Sequence, residues 1–332
     1  MSEQSIVDPD IGLQLIPTEA SDYATQVDHL YFGLLGLSAL LVAILVGLIV
    51  VFGFRYRRSR KGPRKPRFSD RVGHRIEIGF AAGLTLLFLG LFYWGGHLYM
   101  HLYDDQQSDI TVNIVGKQWM WKVQHPDGTR EINTLHVPVG ESVKLRLTSQ
   151  DVIHSFSIPA LRLKRDAVPG LYTTAHFVAT KTGEYRLFCA EYCGNEHSKM
   201  RGRIVVLSQA DYQEWLTRHG EGPSPAVAGR QLFQSHGCTG CHQDSAQTPA
   251  PALDGLYGRT VPLDNGSTIV ADEAYIRDSI LQPQKHVVAG FQPIMPSFSG
   301  QLSESEIFEL IAYIKSLQPG EWNQDRASGA PQ

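Results

Sequence analysis

Four soft or borderline metal ligands fall within one short stretch, Cys189-Ala190-Glu191-Tyr192-Cys193-Gly194-Asn195-Glu196-His197-Ser198-Lys199-Met200: two thiolates, an imidazole and a thioether. Thiolate and thioether select copper(I), zinc or iron–sulfur centres, and imidazole suits copper and zinc. Upstream, Asp151-Val152-Ile153-His154-Ser155-Phe156 offers one more imidazole. A single blue-copper ion takes two His, one Cys and a long axial Met. A second Cys exceeds that set. Two thiolates, two imidazoles and one thioether suit two copper ions bridged by both sulfurs. A Cys189–Cys193 disulfide would explain neither His197 nor Met200, and structural zinc usually takes four Cys or His ligands at other spacings.

A second chemical motif follows at Cys238-Thr239-Gly240-Cys241-His242. Cys-x-x-Cys-His is the attachment pattern for c-type haem, in which the thiols add to the vinyl groups and His242 becomes the proximal iron ligand. A thioredoxin-like dithiol is the other reading. No βαβ pattern surrounds this one, and a His follows at once. The chain has four cysteines, all in these two motifs. Cysteine here serves redox centres rather than structural staples.

The elements that must position these groups differ along the chain. Between Asp109 and Leu207 short alternating runs such as Ile110–Val115, Ser142–Thr148 and Glu184–Cys189 are punctuated by Pro126-Asp127-Gly128 and Pro138-Val139-Gly140. Regular short strands of this kind predict a β-sandwich or barrel, with the metal loop joining its last two strands. Gly220-Glu221-Gly222-Pro223-Ser224-Pro225 reads as a linker. Beyond it, Ser303-Glu304-Ser305-Glu306 is a capping-box start for a helix over Ile307–Leu317, whose Ile307, Leu310, Ile311 and Ile314 share one face. Met100, Met120 and His236 sit in no motif.

At 332 residues the chain is long enough for two or three domains. Thirty Lys and Arg against thirty-three Asp and Glu leave the total near neutral, but the charge is unevenly placed. Lys and Arg crowd between Arg55 and Arg75, flanked by apolar runs at Leu30–Phe54 and Ile78–Leu102. A membrane span takes about 20 apolar residues, so both runs suffice. Trp94, Tyr99 and Tyr103 are interface anchors of the second. By the positive-inside rule the basic run is a cytoplasmic loop that sets topology, not a nucleic-acid patch. The acidic N-terminal stretch, which lacks the basic start of a secretory signal, and everything after Tyr103 then lie on the outer face.

The stretch Cys189–Met200 resembles the Cys-x-Glu-x-Cys-x-x-x-His-x-x-Met motif of subunit II of the haem-copper cytochrome c oxidases, and the likeness extends to Asp151-Val152-Ile153-His154-Ser155. The resemblance implies a cupredoxin-like domain holding a dinuclear copper centre, CuA. Its bridging thiolates are Cys189 and Cys193, its terminal imidazoles His154 and His197, and its weak ligands Met200 and the Glu191 carbonyl. It also implies a Mg²⁺ bound by the Glu191 carboxylate and shared with subunit I. Gly116-Lys117-Gln118-Trp119-Met120-Trp121 resembles an aromatic segment of that family whose first Trp receives electrons at the surface, which gives the role to Trp119; Met120 stands where Tyr is usual. Trp121 reads as a ring packed on a strand face. Leu161-Arg162-Leu163-Lys164-Arg165-Asp166-Ala167-Val168-Pro169-Gly170 resembles a segment facing subunit I, with Arg162 in place of Gly. In the family a Glu in the context of Glu77 lies at the entrance of a proton channel, although here Phe80 replaces the usual Trp. Snorkelling or stabilisation of the helix N-terminus explains Glu77 equally well. The acidic patch that docks a soluble cytochrome is reduced to Asp151.

The last part of the chain resembles a small class I cytochrome c. Pro251–Arg259 fits the family's Pro-x-Leu-x-Gly-x-x-Gly-Arg, where Arg259 contacts a haem propionate, and Met295 in Pro293-Ile294-Met295-Pro296 fits the distal ligand. Met with His raises the haem potential, as suits an electron carrier.

The expected architecture is therefore multi-domain: an outer-face tail (1–28), a transmembrane hairpin (29–103, helices about 30–54 and 77–102 around a basic loop 55–75), an all-β cupredoxin-like sandwich (108–209), a linker (210–225), an all-α class I cytochrome c domain (226–320) and a disordered tail (321–332). The resemblance implies a two-pass subunit of the cell membrane, partnered by subunits I and III. Electrons would pass from a cytochrome or other donor to haem c, to CuA and on to subunit I, where O₂ is reduced to water with proton translocation. Tethering the haem domain makes the encounter intramolecular. The alternatives are the same role in a nitric-oxide-reducing enzyme, or a membrane-anchored copper assembly protein.

Overall fold

The computed structural model describes residues 16–57, 69–103, 108–220, 222–242 and 250–317. Most of the expected tail 1–28, the centre of the basic loop and the tail 321–332 lie outside the described residues. The chain falls into two compact units, residues 21–106 and the remainder.

The smaller unit consists of helices α1 (Ala24–Arg55) and α2 (Asp70–Tyr103), both long and apolar enough to cross a membrane. They start several residues earlier than the apolar runs, because Asp28 and the polar segment Asp70–Glu77 continue the helical backbone. The two apolar helices fit a membrane hairpin.

In the larger unit, ten strands among the described residues form a sandwich. One sheet runs β3-β2-β1-β5-β8, from β1 (Ile110–Lys117), β2 (Met120–Gln124), β3 (Arg130–Ile132), β5 (Ser142–Ser149) and β8 (Thr173–Val178). The other runs β4-β10-β9-β6-β7, from β4 (Thr134–Pro138), β6 (His154–Ile158), β7 (Leu163–Ala167), β9 (Gly183–Cys189) and β10 (Arg201–Leu207). Alternation puts Val143, Leu145 and Leu147 of β5 inside with Val112 and Ile114 of β1, facing Leu135, Phe156, Leu187 and Ile204. The intervening Lys144 and Arg146 point to the opposite face. Arg162 adopts φ of 52°, the left-handed region, which explains why a Gly is usual at this position. Its guanidinium compensates by donating to the carbonyls of Pro159 (2.7 Å) and Pro17 (2.8 Å).

Part of the segment expected as linker is helical: α3 (Gln209–His219) starts on Ser208, whose hydroxyl accepts from Asp211 N–H. Trp215 of α3 stacks on His136 at 4.4 Å, and Glu131 accepts from His125 Nε2 (2.8 Å) and His136 Nδ1 (2.6 Å) beneath it. The helix is thus fastened to the sandwich.

The C-terminal module begins with α4 (Pro225–Ser235), capped by Ser224 with Pro225 in its first turn. It continues through α5 (Thr239–His242), the hairpin β11 (Thr260–Pro262) and β12 (Thr268–Val270), α6 (Glu273–Leu281) and α7 (Glu304–Ser316). Ser303 and Glu306 form the expected capping box. Helices α4 and α7 cross at Gly229, where a Cβ would overlap the carbonyl of Glu309.

Candidate metal centre and haem pocket

Strand β9 delivers Cys189 at its end, and the loop returns through a 3₁₀ turn at His197–Lys199 into β10, so Cys193, His197 and Met200 curl back over Cys189. His154 opens β6, which pairs with β9. The Cys189 and Cys193 sulfurs stand 3.7 Å apart. His154 Nδ1 lies 4.0 Å from Cys189 Sγ, and His197 Nδ1 lies 3.5 Å from Cys193 Sγ. Met200 Sδ, 1% exposed, is 3.7 Å from Cys193 Sγ. The Glu191 carbonyl is 3.2 Å from Cys189 Sγ, while its side chain is exposed. All six residues singled out from the sequence converge.

Burial raises a thiol, but at Cys189 the contacts with His154 and the neighbouring backbone win and bring it below its ordinary value. At Cys193 burial and the adjacent Cys189 sulfur act together and push the thiol well above it. The pair releases one proton readily and holds the other. A metal ion held by both sulfurs would supply the charge that displaces the second. The donor set fits copper.

A surrounding layer fixes these side chains. Asp151 Oδ1 accepts from His154 Nε2 at 2.7 Å, leaving Nδ1 for the metal side. Burial opposes the Asp151 charge, but the Gln118 and Val152 N–H groups and His154 hold its carboxyl below the usual range. Asp151 is thus spent on positioning rather than presented as a docking charge. The Gln118 amide donates to the Cys193 carbonyl at 2.7 Å. Gly116 makes room for the imidazole, since a Cβ there would stand 2.8 Å from His154 Cδ2. Asp151 lay inside the quoted motif, and Gln118 and Gly116 inside the aromatic one, but their roles depend on strands brought together only by folding. Trp119 is half-buried beside Gly194, its indole N–H buried without a partner, and Trp121 is fully buried against Phe156. Glu77 lies on α2, 3.5 Å from His74 Nδ1, with both side chains exposed.

In the C-terminal module a cavity of about 470 Å³ is lined by Cys238, Cys241, His242, Met295 and Arg259 among mainly apolar side chains. His236, which belongs to no motif, also lines it. His242 Nδ1 donates to the Pro251 carbonyl at 3.0 Å, which leaves Nε2 free, and burial lowers its pKa so that the neutral, ligating form prevails. An apolar slot walled by two thiols, an imidazole, a thioether and one guanidinium fits a covalently attached haem.

A membrane hairpin, a cupredoxin-like sandwich with a Cys–His–Met cluster and a helical haem-type module define an electron-transfer protein. The family model for the periplasmic domain of cytochrome c oxidase subunit II matches residues 129–208, and that for cytochrome c matches 226–318. Cytochrome c oxidase subunit 2 of Thermostichus vulcanus is 30% identical over 255 residues, covering 60% of this chain and 77% of that protein. The subunit 2 of Alkalihalophilus pseudofirmus is 32% identical over 228 residues, covering 65% and 64%. Among solved structures, the periplasmic domain of cytochrome oxidase subunit II of Bradyrhizobium japonicum is 30% identical, covers 34% of this chain and 95% of that one, and gives a TM-score of 0.33. The chain belongs to the cytochrome c oxidase subunit 2 family, with a cytochrome c domain at its C-terminal side. It is an electron-transfer subunit of an oxidase, and copper and haem c are the cofactors its two domains imply.

Proposed function

We propose that this chain is the subunit through which electrons enter a haem-copper oxidase. They are received by the module 226–320 from a cytochrome or other donor and handed through the sandwich 108–209 to subunit I for reduction of O₂ and coupled proton translocation. The observation that carries the reading is the pair of sulfurs 3.7 Å apart, bracketed by two imidazoles and a thioether, in the same chain as the Cys238–Cys241–His242–Met295 pocket. When bound, the copper pair and the haem supply one-electron couples that need no proton or bond change.

The chain's own residues hold these groups still. Cys189 and Cys193 would hold two copper ions as shared thiolates, with His154 and His197 as the imidazole ligands and Met200 and the Glu191 carbonyl as the weak ones. Cys238 and Cys241 would hold the haem covalently, with His242 and Met295 as its iron ligands and Arg259 beside a propionate. A rigid sandwich keeps reorganisation small, which fast one-electron transfer requires. On this reading the exposed Glu191 side chain would share a Mg²⁺ with subunit I, Trp119 would receive electrons and Glu77 would serve proton uptake. Helices α1 and α2 anchor the subunit, with the sandwich and haem module on the outer side, next to subunit I and a further subunit III.

The test is metal analysis of the full-length chain, expressed where c-type haem is matured and purified in detergent, together with its electron spin resonance spectrum. Two coppers sharing one unpaired electron, with one covalent haem, are expected. A single-copper signal, zinc in place of copper, or readily transferable copper would overturn the reading in favour of a copper assembly protein. Consumption of nitric oxide rather than O₂ by the assembled complex would move it to the other branch of haem-copper enzymes.

A further inference from the structure

Haem module and sandwich meet through the outer faces of α6 and α7. Tyr172, in the turn between β7 and β8, stacks on Phe308 of α7 with ring centroids 5.3 Å apart and packs against the module's buried apolar cluster. The same ring lies 5.5 Å from the Arg277 guanidinium and 5.9 Å from that of Arg146. Arg277, 4% exposed, is bound by the Glu304 carboxylate and donates through Nη1 to the Gly170 carbonyl of the sandwich at 3.1 Å. Arg146 of β5 pairs with Glu273 of α6 at 2.7 Å, and Lys315 of α7 reaches the same carboxylate at 2.8 Å. Glu309 of α7 accepts from Gln124 at 3.2 Å and pairs with Arg130.

None of these docking residues lines the haem pocket. The pocket takes Tyr275, Ile276, Ser279 and Ile280 from α6 and Leu310 and Ile314 from α7, other faces of the same two helices. The helices are therefore two-sided, and whatever grips their outer faces fixes the pocket relative to the sandwich.

We infer that Tyr172, seated against Phe308 and the Arg277–Glu304 pair, is a positioning residue that locks the haem module onto the copper domain and so sets the rate of electron transfer between them. The inference rests on the reading that both cofactors are bound. One electron leaves the ferrous haem iron and arrives at the copper pair; no bond is made or broken and no proton moves. Separation and orientation then decide the rate, which falls exponentially with distance. A docked module needs no diffusive encounter, unlike one held only by a loose tether. Its transfer rate is consequently only weakly sensitive to ionic strength, because the Tyr172 ring and the Arg277–Glu304 and Arg146–Glu273 pairs beside it are largely buried, while the exposed Arg130 and Lys315 contacts are the ones salt screens. The Tyr172 hydroxyl is buried and makes no hydrogen bond, so the ring alone carries the contact.

The experiment compares wild type, Tyr172→Ala and Tyr172→Phe as full-length chains in the assembled oxidase. Transfer from haem to copper is followed after flash reduction of the haem, at low and high salt, and amide hydrogen exchange over 273–281 and 304–316 is measured on the same samples. Tyr172→Ala is expected to weaken the docking equilibrium about tenfold or more, the factor that loss of an aromatic stack and two cation–π contacts gives, and to slow transfer measurably. It should also make the rate salt-dependent and raise exchange over both helices, with haem and copper content unchanged. Tyr172→Phe should keep wild-type rate and protection. Wild-type transfer and protection in the Ala variant, or equal loss in Ala and Phe, would overturn the inference. A second variant, Arg277→Gln combined with Glu304→Gln, should loosen the same helices, and undisturbed exchange and rate there would count against it equally. Absence of copper or haem in the wild type would instead sink the functional reading, while the exchange comparison would still decide whether Tyr172 locks the module.

Discussion

Asp151 Oδ1 sits 2.7 Å from His154 Nε2, and this contact turns the other ring nitrogen, Nδ1, toward Cys189 Sγ at 4.0 Å. The carboxylate thereby chooses the tautomer and orientation of His154, a proposed copper ligand, from outside the proposed ligand set. Replacing Asp151 by Ala should lower copper affinity about 10- to 100-fold. Competition with a chelator, read by the copper remaining per full-length chain, measures it. Unchanged affinity would mean that the sandwich alone holds the imidazole.

Gly116 should tolerate no side chain. With His154 held by Asp151, a methyl group 2.8 Å from its Cδ2 must displace the ring or the β1 backbone. Gly116→Ala is expected to cost about 1–3 kcal/mol in stability, as overpacking generally does, and to reduce copper occupancy. Thermal unfolding and metal content would both register it.

Met200 is buried at 1% exposure, 3.7 Å from Cys193 Sγ. Leu conserves its volume, so Met200→Leu should cost less than about 1.5 kcal/mol. The thioether, however, is gone. Copper should still bind, with a shifted midpoint potential and altered visible absorption. Loss of copper altogether would show that the thioether is a principal ligand rather than a weak one.

Glu131 links the sandwich to α3 through His125 and His136. Burial raises its carboxyl, but the two histidine contacts outweigh burial and hold it down at about 2, against an ordinary 4.5. A depressed carboxylate contributes stability that is fully present above about pH 4.5 and lost as pH falls toward 2. Glu131→Gln should therefore cost about 1.5–3 kcal/mol at neutral pH, the range for hydrogen bonds to a charged group, and flatten the acid limb of the melting profile. A parallel shift of the whole profile would contradict this assignment.

Much of the candidate site was legible before folding because its proposed ligands are close in sequence. Cys189, Cys193, His197 and Met200 share one loop, and Cys238, Cys241 and His242 share one turn, so spacing alone brings them within reach of one metal or one haem. The capping box at Ser303 and Glu306 is local in the same way, as are the two apolar helices. The segment 210–225 was harder to read, since its Gly and Pro residues signal a break only after α3 has already formed on the Ser208 cap.

What the chain's residue order determined, then, is the chemistry: which ligands are present, what ions and haem they suit, and which stretches are strands, helices or spans. What only the tertiary structure decided is the support around that chemistry. Asp151 on His154, Gly116 beneath its ring, Gln118 on the Cys193 carbonyl and Tyr172 against Phe308 are all meetings across strands or modules. Tyr172 and Phe308 are separated by more than a hundred positions, and neither residue type at such a distance carries a spacing signal. The physical reason is that ligand identity is a property of single side chains, whereas orientation and separation are set by packing, and packing joins residues that the sequence keeps apart.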